Sequence, residues 1–220
     1  MAIQSGIPLA RVELVDERQI AICNAYSKLT LPERPTLFLE FHGSERSVQE
    51  QSERFGEIVA EFGGSAFEWS AKAEDRTRLW KARHDMFWAD KAYRPNSQVV
   101  VTDVCVPISR LAECVVETQK DIKDSRLIAP LFGHVGDGNF HTVVSVLMDD
   151  ADEVARARAF VSRLAERALA MEGTCTGEHG VGDGKKKYLV DELGAPAVDL
   201  FGAIKRAVDP LNLMNPGKIV

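Results

Sequence analysis

The 220-residue sequence predicts an α+β fold: a largely antiparallel sheet with helices packed on one face, and further helices at the C-terminus. Three observations predict it. Runs with strand character take turns with runs of helical apolar spacing along the chain. Residues 128–134 and 139–146 both read as strands, yet they follow one another too closely for a parallel crossover, which needs about a dozen residues or more. The composition, 45% hydrophobic and 27% charged, belongs to a chain that buries a core and excludes intrinsic disorder.

The elements follow in order. Residues 10–15 alternate and read as a strand, and a short helix spans about 16–28. Pro32 and Pro35 bracket a loop before an apolar strand at 36–41. Ser44 caps a helix that is expected to bury Val48, Phe55, Ile58, Val59 and Phe62, and Gly63-Gly64 stops it. A short strand is expected at 66–69, then one long helix over 73–93. The valine-rich run 98–105 reads as a strand closed by Pro107. Ser109 is expected to cap a helix reaching about 123. After the two strands, a helix begins at Asp149 and runs to Met171. The tail holds a glycine-rich stretch, helices near 185–193 and 196–208, and Asp209-Pro210.

Charge and composition narrow the function. A net charge of −6 gives no support to a nucleic-acid partner held on a basic face. No apolar run approaches the roughly 20 residues of a membrane span, and residues 1–6 lack the pattern of a signal peptide. Cys23, Cys105, Cys114 and Cys175 are far apart with no C-x-x-C, so free thiols in a reducing compartment are expected.

Eight of the 16 glycines and three of the five histidines lie between Gly133 and Gly184. The first cluster is Gly133-His134-Val135-Gly136-Asp137-Gly138-Asn139-Phe140-His141. Asp-Gly is a strong signal for a two-residue hairpin turn, which sets Gly136 opposite Asn139 and His134 opposite His141. Imidazoles so opposed can share a metal ion. The second cluster, Thr174-Cys175-Thr176-Gly177-Glu178-His179-Gly180-Val181-Gly182, sets a carboxylate beside an imidazole on a pliable loop. Glu178 can complete a two-histidine, one-carboxylate site, while His179 faces a substrate. The bland alternatives are a polar hairpin and a solvated loop.

Other signals carry less. Gly180-Val181-Gly182-Asp183-Gly184-Lys185 lacks the first glycine and the Ser or Thr of a phosphate loop. No G-x-G-x-x-G joins a strand to a helix, so no dinucleotide fold is indicated. Lys185-Lys186-Lys187 reads as a solvated helix start. Trp80, Phe87 and Trp88 read as core packing, and His42 and His84 as structural. Arg83 suits bidentate capture of a carboxylate, though from sequence alone a surface salt bridge is the better reading.

Together these segments resemble the C-terminal domain of FAD-linked oxidases, a group that includes cytochrome-linked D-lactate dehydrogenase, the glycolate oxidase flavin subunit and D-2-hydroxyglutarate dehydrogenase. The resemblance covers nearly all of residues 1–220. It runs through Leu37-Phe38-Leu39-Glu40-Phe41-His42-Gly43, Leu79-Trp80 with Arg83-His84, Thr102-Asp103-Val104-Cys105-Val106-Pro107, both histidine clusters, and Leu213-Met214-Asn215-Pro216-Gly217-Lys218. The Thr-Asp-Val-Cys-Val-Pro and Gly-Thr-Cys-Thr-Gly-Glu-His-Gly segments most resemble D-lactate dehydrogenases.

The resemblance implies that His134, His141 and Glu178 ligate a divalent metal (zinc, manganese or iron), that His179 is the general base and that Arg83 holds the substrate carboxylate. It sets Asn215 and Lys218 near the flavin ring. The implied substrate is a small D-2-hydroxy acid, most simply D-lactate oxidised to pyruvate, since Thr142-Val143-Val144 follows the second histidine. FAD is then bound mainly by a separate FAD-binding domain, without which the chain is expected to be inactive. The implied electron acceptor is a cytochrome or quinone, and oligomerisation stays open. The expected location is the cytoplasm or the surface of the respiratory membrane, or the mitochondrion in a eukaryote. The rival expectation is a non-catalytic module that binds a metal or hydroxy acid, or an interaction subunit.

Overall fold

The computed structural model describes residues 1–65 and 73–220. The strand expected at 66–69 lies outside the described residues. The chain forms two units, Met1–Val99 with Pro130–Gly136, and Val100–Ala129 with Asp137–Val220.

In the first unit β1 (Leu9–Val15) is the central strand. It pairs antiparallel with β2 (Thr36–Phe41) on one side and with Leu131–His134, the strand β5, on the other. The β5 register sets Glu13 opposite His134. Strand β5 starts later than expected because Pro130, which has no N–H for a ladder, precedes it. Asp16 pins two elements at once. Its carboxylate accepts from Gln19 N at 2.7 Å, capping α1 (Glu17–Ser27), and from Leu131 N at 2.9 Å, holding the start of β5. Helix α2 (Glu45–Glu61) is capped by Ser44 as expected, and Phe55 packs edge-to-face on Phe41 at 6.1 Å. Its apolar stripe is shallower than expected. Val48, Ile58 and Val59 are half-buried, and Phe62, at the C-cap, is 71% exposed.

The long helix expected over 73–93 is two helices, α3 (Ala73–His84) and α4 (Met86–Tyr93). They part at Asp85, whose carboxylate turns back to Lys81 Nζ at 2.6 Å. Helix α4 packs on α1 through Met86, Ala89 and Asp90, spaced three and four apart. That spacing turns Phe87 and Trp88 outward. They are exposed and stack edge-to-face on each other at 5.4 Å, so the expectation that they are core residues is corrected.

The expected strand 98–105 is broken into β3 (Gln98–Val101), whose last two residues open the second unit, and β4 (Val104–Cys105). Both neighbour β6 (Asn139–Val146), which is buried along its whole length. The β4–β6 pairing is antiparallel, with Val104 opposite Phe140 and Cys105 opposite Asn139. At the break, Thr102 stays tied to β6 through Thr142, by its N–H at 2.9 Å and its hydroxyl oxygen at 2.8 Å, while Asp103 leaves the ladder. The turn before β6 takes four residues, 135–138, rather than two, so Val135 and Gly136 lie in the turn. Gly138 has φ +81°, and a Cβ there would sit 2.1 Å from Val106 O, so only glycine fits.

Helix α5 (Ile108–Asp124) has Pro107, not Ser109, at its N-cap, where a ψ of 136° keeps the proline outside the helix and no side chain caps it. Helix α6 (Ala151–Ala170) is capped by Asp150, which accepts from Asp152 N and Glu153 N. Its stripe Ala157, Phe160, Leu164 and Ala168 is buried, and the helix packs on β4, β6 and α5. A polar staple fixes the α5–α6 contact. Asp121 accepts from Arg163 Nε at 3.1 Å and from Arg167 Nη2 at 2.9 Å. The chain ends in a 3₁₀ turn (Lys186–Tyr188), α7 (Leu189–Leu193) and α8 (Ala195–Val208). Among the described residues no helix is long and apolar enough to cross a membrane.

Burial raises the Asp121 pKa, but the two arginines outweigh it and hold the carboxyl below its ordinary value. A carboxyl depressed in the folded state contributes stability above its unfolded pKa of about 4, and that stability is lost as pH falls through the folded value. Urea midpoints between about pH 6 and pH 2 should therefore fall less steeply in Asp121→Asn than in the parent. Parallel acid limbs would contradict this reading of the staple.

Candidate metal centre

His141 lies on β6 and is 2% exposed. Its Nδ1 stands 3.1 Å from the carbonyl oxygen of Thr102. A carbonyl only accepts, so Nδ1 carries the proton and donates, and the neutral ring keeps its lone pair on Nε2. Burial pushes the ring's pKa down and favours that neutral form, against the Thr102 bond and the nearby carboxylates. Nε2 faces Glu178 Oε1 at 3.0 Å. A lone pair and a carboxylate oxygen do not attract one another. A cation between them removes the conflict, and two ligands of one ion, with bonds of about 2.0–2.2 Å each, stand roughly this far apart. The His179 ring stacks on that of His141, with centroids 4.9 Å apart and planes 14° apart, and its Nε2 is 3.7 Å from Glu178 Oε1.

The loop that carries Glu178 and His179 is anchored at its start by an antiparallel bridge between Cys105 and Thr174. Its far side is held where Ile219 N reaches Gly182 O at 2.8 Å and Lys186 Nζ reaches Gly217 O at 3.2 Å. Between these anchors the loop folds around the carboxylate of Asp103, which is 2% exposed. Asp103 accepts from Asn139 Nδ2 at 2.9 Å, Thr176 Oγ1 at 3.1 Å, Glu178 N at 3.1 Å, His179 N at 2.9 Å and Lys185 Nζ at 3.3 Å. Burial raises its pKa, but these donors win and hold the carboxyl well below the usual range. Ligand atoms of Asp103, His141 and His179 lie within 4.8 Å of one another. Asp103 is nevertheless a poor ligand, because both its oxygens already accept hydrogen bonds. Gly177 is part of the same packing: a Cβ there would fall 1.8 Å from Asn139 Nδ2 and 2.7 Å from Asp103 Oδ1.

In the first unit, His134 ends β5 opposite Glu13, and its Nδ1 is 2.7 Å from Glu13 Oε1. Glu13 is 6% exposed, and its other oxygen takes Arg83 Nη2 at 2.8 Å and Arg83 Nε at 3.2 Å. The Arg83 guanidinium also lies over the Phe132 ring at 4.9 Å. Burial raises the Glu13 pKa, while His134 and Arg83 lower it further, so the carboxyl is ionised. His134 therefore donates from Nδ1, and in the neutral ring the lone pair lies on Nε2. Metal-ligating histidines usually give their second nitrogen to a carboxylate or a backbone carbonyl, and both arrangements occur here.

The remaining expected residues lie elsewhere. Asn215 and Lys218 are exposed in the tail, with Lys218 N bonded to Asn215 O. His42 is exposed and pairs with Glu40, and His84 is exposed. Sequence reasoning assigned no role to Glu13, Asp103 or Thr102, and its reading of Lys185 as part of a solvated helix start is corrected, since Lys185 Nζ bonds Asp103. The signal for Asp103 was a charged residue inside a valine run. Glu13 gave none beyond its place in an alternating strand.

The family description "FAD linked oxidases, C-terminal domain" matches residues 1–219. The chain belongs to this family. This FAD linked oxidase domain is 50% identical over 218 residues to "Probable D-lactate dehydrogenase, mitochondrial" of Danio rerio, covering 99% of the chain and 44% of that protein. It is 41% identical to "D-lactate dehydrogenase [cytochrome], mitochondrial" of Arabidopsis thaliana, covering 98% and 38%, and 29% identical to "Glycolate oxidase subunit GlcD" of Bacillus subtilis, covering 96% and 45%. It thus spans less than half the length of these relatives. Among solved structures, the 4-ethylphenol oxidase of Gulosibacter chungangensis matches 95% of the chain and 47% of its own at a TM-score of 0.65 and 14% identity, which shows a shared fold.

Gly177→Ala should displace the loop, at a cost of about 1–3 kcal/mol for overpacking. Urea unfolding and the backbone amide resonances of Glu178 and His179 test this. Unchanged stability with unmoved amides would contradict the packing described.

Proposed function

We propose that this chain is the metal- and substrate-binding part of a flavin-dependent D-2-hydroxy acid dehydrogenase that oxidises D-lactate to pyruvate. The observation that carries the reading is His141, which donates from Nδ1 to the Thr102 carbonyl and turns Nε2 to the Glu178 carboxylate at 3.0 Å. His141 and Glu178 would hold a divalent cation, with His134, whose Nδ1 is given to Glu13, as the further ligand that the family resemblance implies. The set of two imidazoles and one carboxylate suits zinc, manganese or iron. The cation supplies Lewis acidity toward the substrate hydroxyl, and FAD, brought by an FAD-binding domain, supplies a two-electron acceptor.

The chain's own residues do the rest. Oxidation of the hydroxy acid removes the hydroxyl proton and the hydrogen on C2 with its electron pair. His179 takes the hydroxyl proton, since its ring is half exposed and is placed by stacking on His141. Arg83 orients the substrate carboxylate. A guanidinium has five N–H donors, more than the two directed at Glu13, and the pair with Glu13 holds its plane in place. Asn215 and Lys218, exposed in the tail, would be the residues that help hold the flavin. A cytochrome or a quinone takes the electrons onward, and in a eukaryote the reaction takes place in the mitochondrion, as the names of the relatives suggest. Without the flavin-binding partner the chain binds but does not oxidise.

With the flavin-binding part present, D-lactate should bleach the flavin anaerobically and L-lactate should not. His179→Ala should slow that reduction about 10²–10⁴-fold while the metal content stays unchanged. An undiminished rate in His179→Ala, or no reaction with D-lactate, would contradict the assignment.

A further inference from the structure

We propose that Asp103 is a positioning residue: its buried carboxylate holds Glu178 and His179 as a pair, so that both side chains are presented to His141. The inference rests on the roles proposed above for Glu178 and His179, neither of whose side chains Asp103 bonds. It accepts instead from their consecutive backbone N–H groups, at 3.1 Å and 2.9 Å. Two successive N–H groups aimed at one carboxylate fix the backbone torsions between them, and with those the directions in which the two side chains leave the chain. One side chain then reaches His141 Nε2 at 3.0 Å, and the other stacks on the same ring.

The break between β3 and β4 makes this possible. Had residues 98–105 formed one strand, Asp103 would have stayed in the ladder with its side chain committed to a sheet face. As built, Thr102 holds His141 through its carbonyl at 3.1 Å, and the next residue holds the loop. Two adjacent residues thus place all three side chains. Lys185 supports the arrangement from outside, with Nζ at 2.8 Å from the Asp103 carbonyl and 3.3 Å from its carboxylate. Asn139 and Thr176 supply the other donors, and Gly177 leaves room for them.

Asp103→Asn tests the proposal, because an amide keeps the shape but replaces one acceptor oxygen with a donor, which then opposes the N–H groups and Lys185. In the full chain, with folding checked by far-UV circular dichroism, the amide protons of Glu178 and His179 should move upfield and exchange faster. Zinc affinity, measured by competition with a chromophoric chelator, should fall about tenfold or more, as is typical when a group that orients a ligand is lost. In a Glu178→Gln background the same change should add less than about threefold, since the ligand it positions is already gone. Unmoved amides, or an equal loss of affinity in both backgrounds, would overturn the proposal. If Glu178→Gln alone leaves zinc affinity intact, the metal reading fails, while the amide shifts still read the hold of Asp103 on the loop. Should Asp103→Asn not fold, Thr176→Val removes one donor from the same carboxylate. It should move the same two amides by less, and unmoved amides there would also overturn the proposal.

Discussion

Two histidines in this chain have Nδ1 tied to an acceptor that cannot turn away, and the chemistry of the site depends on that constraint. For His141 the acceptor is the Thr102 carbonyl at 3.1 Å, and for His134 it is the Glu13 carboxylate at 2.7 Å. A neutral imidazole has one proton, so fixing it on Nδ1 fixes the lone pair on Nε2. Without those bonds the rings could change tautomer or rotate. Neither ring would then be the prepared ligand that the proposed function requires.

The same economy appears in the two buried carboxylates. Glu13 and Asp103 are each almost inaccessible to solvent, and burial alone would neutralise them. Each stays ionised because several donors surround it: Arg83 and His134 for Glu13, and five groups from β6, the 176–179 loop and Lys185 for Asp103. Removing one donor leaves a buried charge short of partners, and a half-satisfied network of this kind is costly. Fixed anions of this sort orient neighbouring groups without moving themselves. That suits them to support ligands rather than to react.

Much of this was legible in the sequence. Alternation, apolar runs and helical spacing mark the strands around residues 10–15, 36–41 and 139–146 and the helices α2, α5 and α6, because each is a local pattern in the chain. The density of glycine and histidine between 133 and 184 pointed to the loops that carry His141, Glu178 and His179. The rest was hidden for physical reasons. Valine propensity ran straight through 98–105, yet the donors around Asp103 drew it out of the ladder. Asp-Gly suggested a two-residue turn, but the turn took four. Phe87 and Trp88 looked like core residues until the packing of α4 on α1 chose Met86, Ala89 and Asp90 instead. Glu13 reads as one more charged strand residue, and only the β1–β5 register shows that it stands opposite His134.

Metal content is the most direct test of the account. The chain, purified without chelators from medium supplemented with zinc, manganese and iron and examined by elemental mass spectrometry, should carry one divalent ion per molecule. His134→Ala, His141→Ala and Glu178→Gln, all folded, should each lose it. A folded parent chain free of any such ion, or three variants that keep it in full, would contradict the claim that these imidazoles and this carboxylate share a cation.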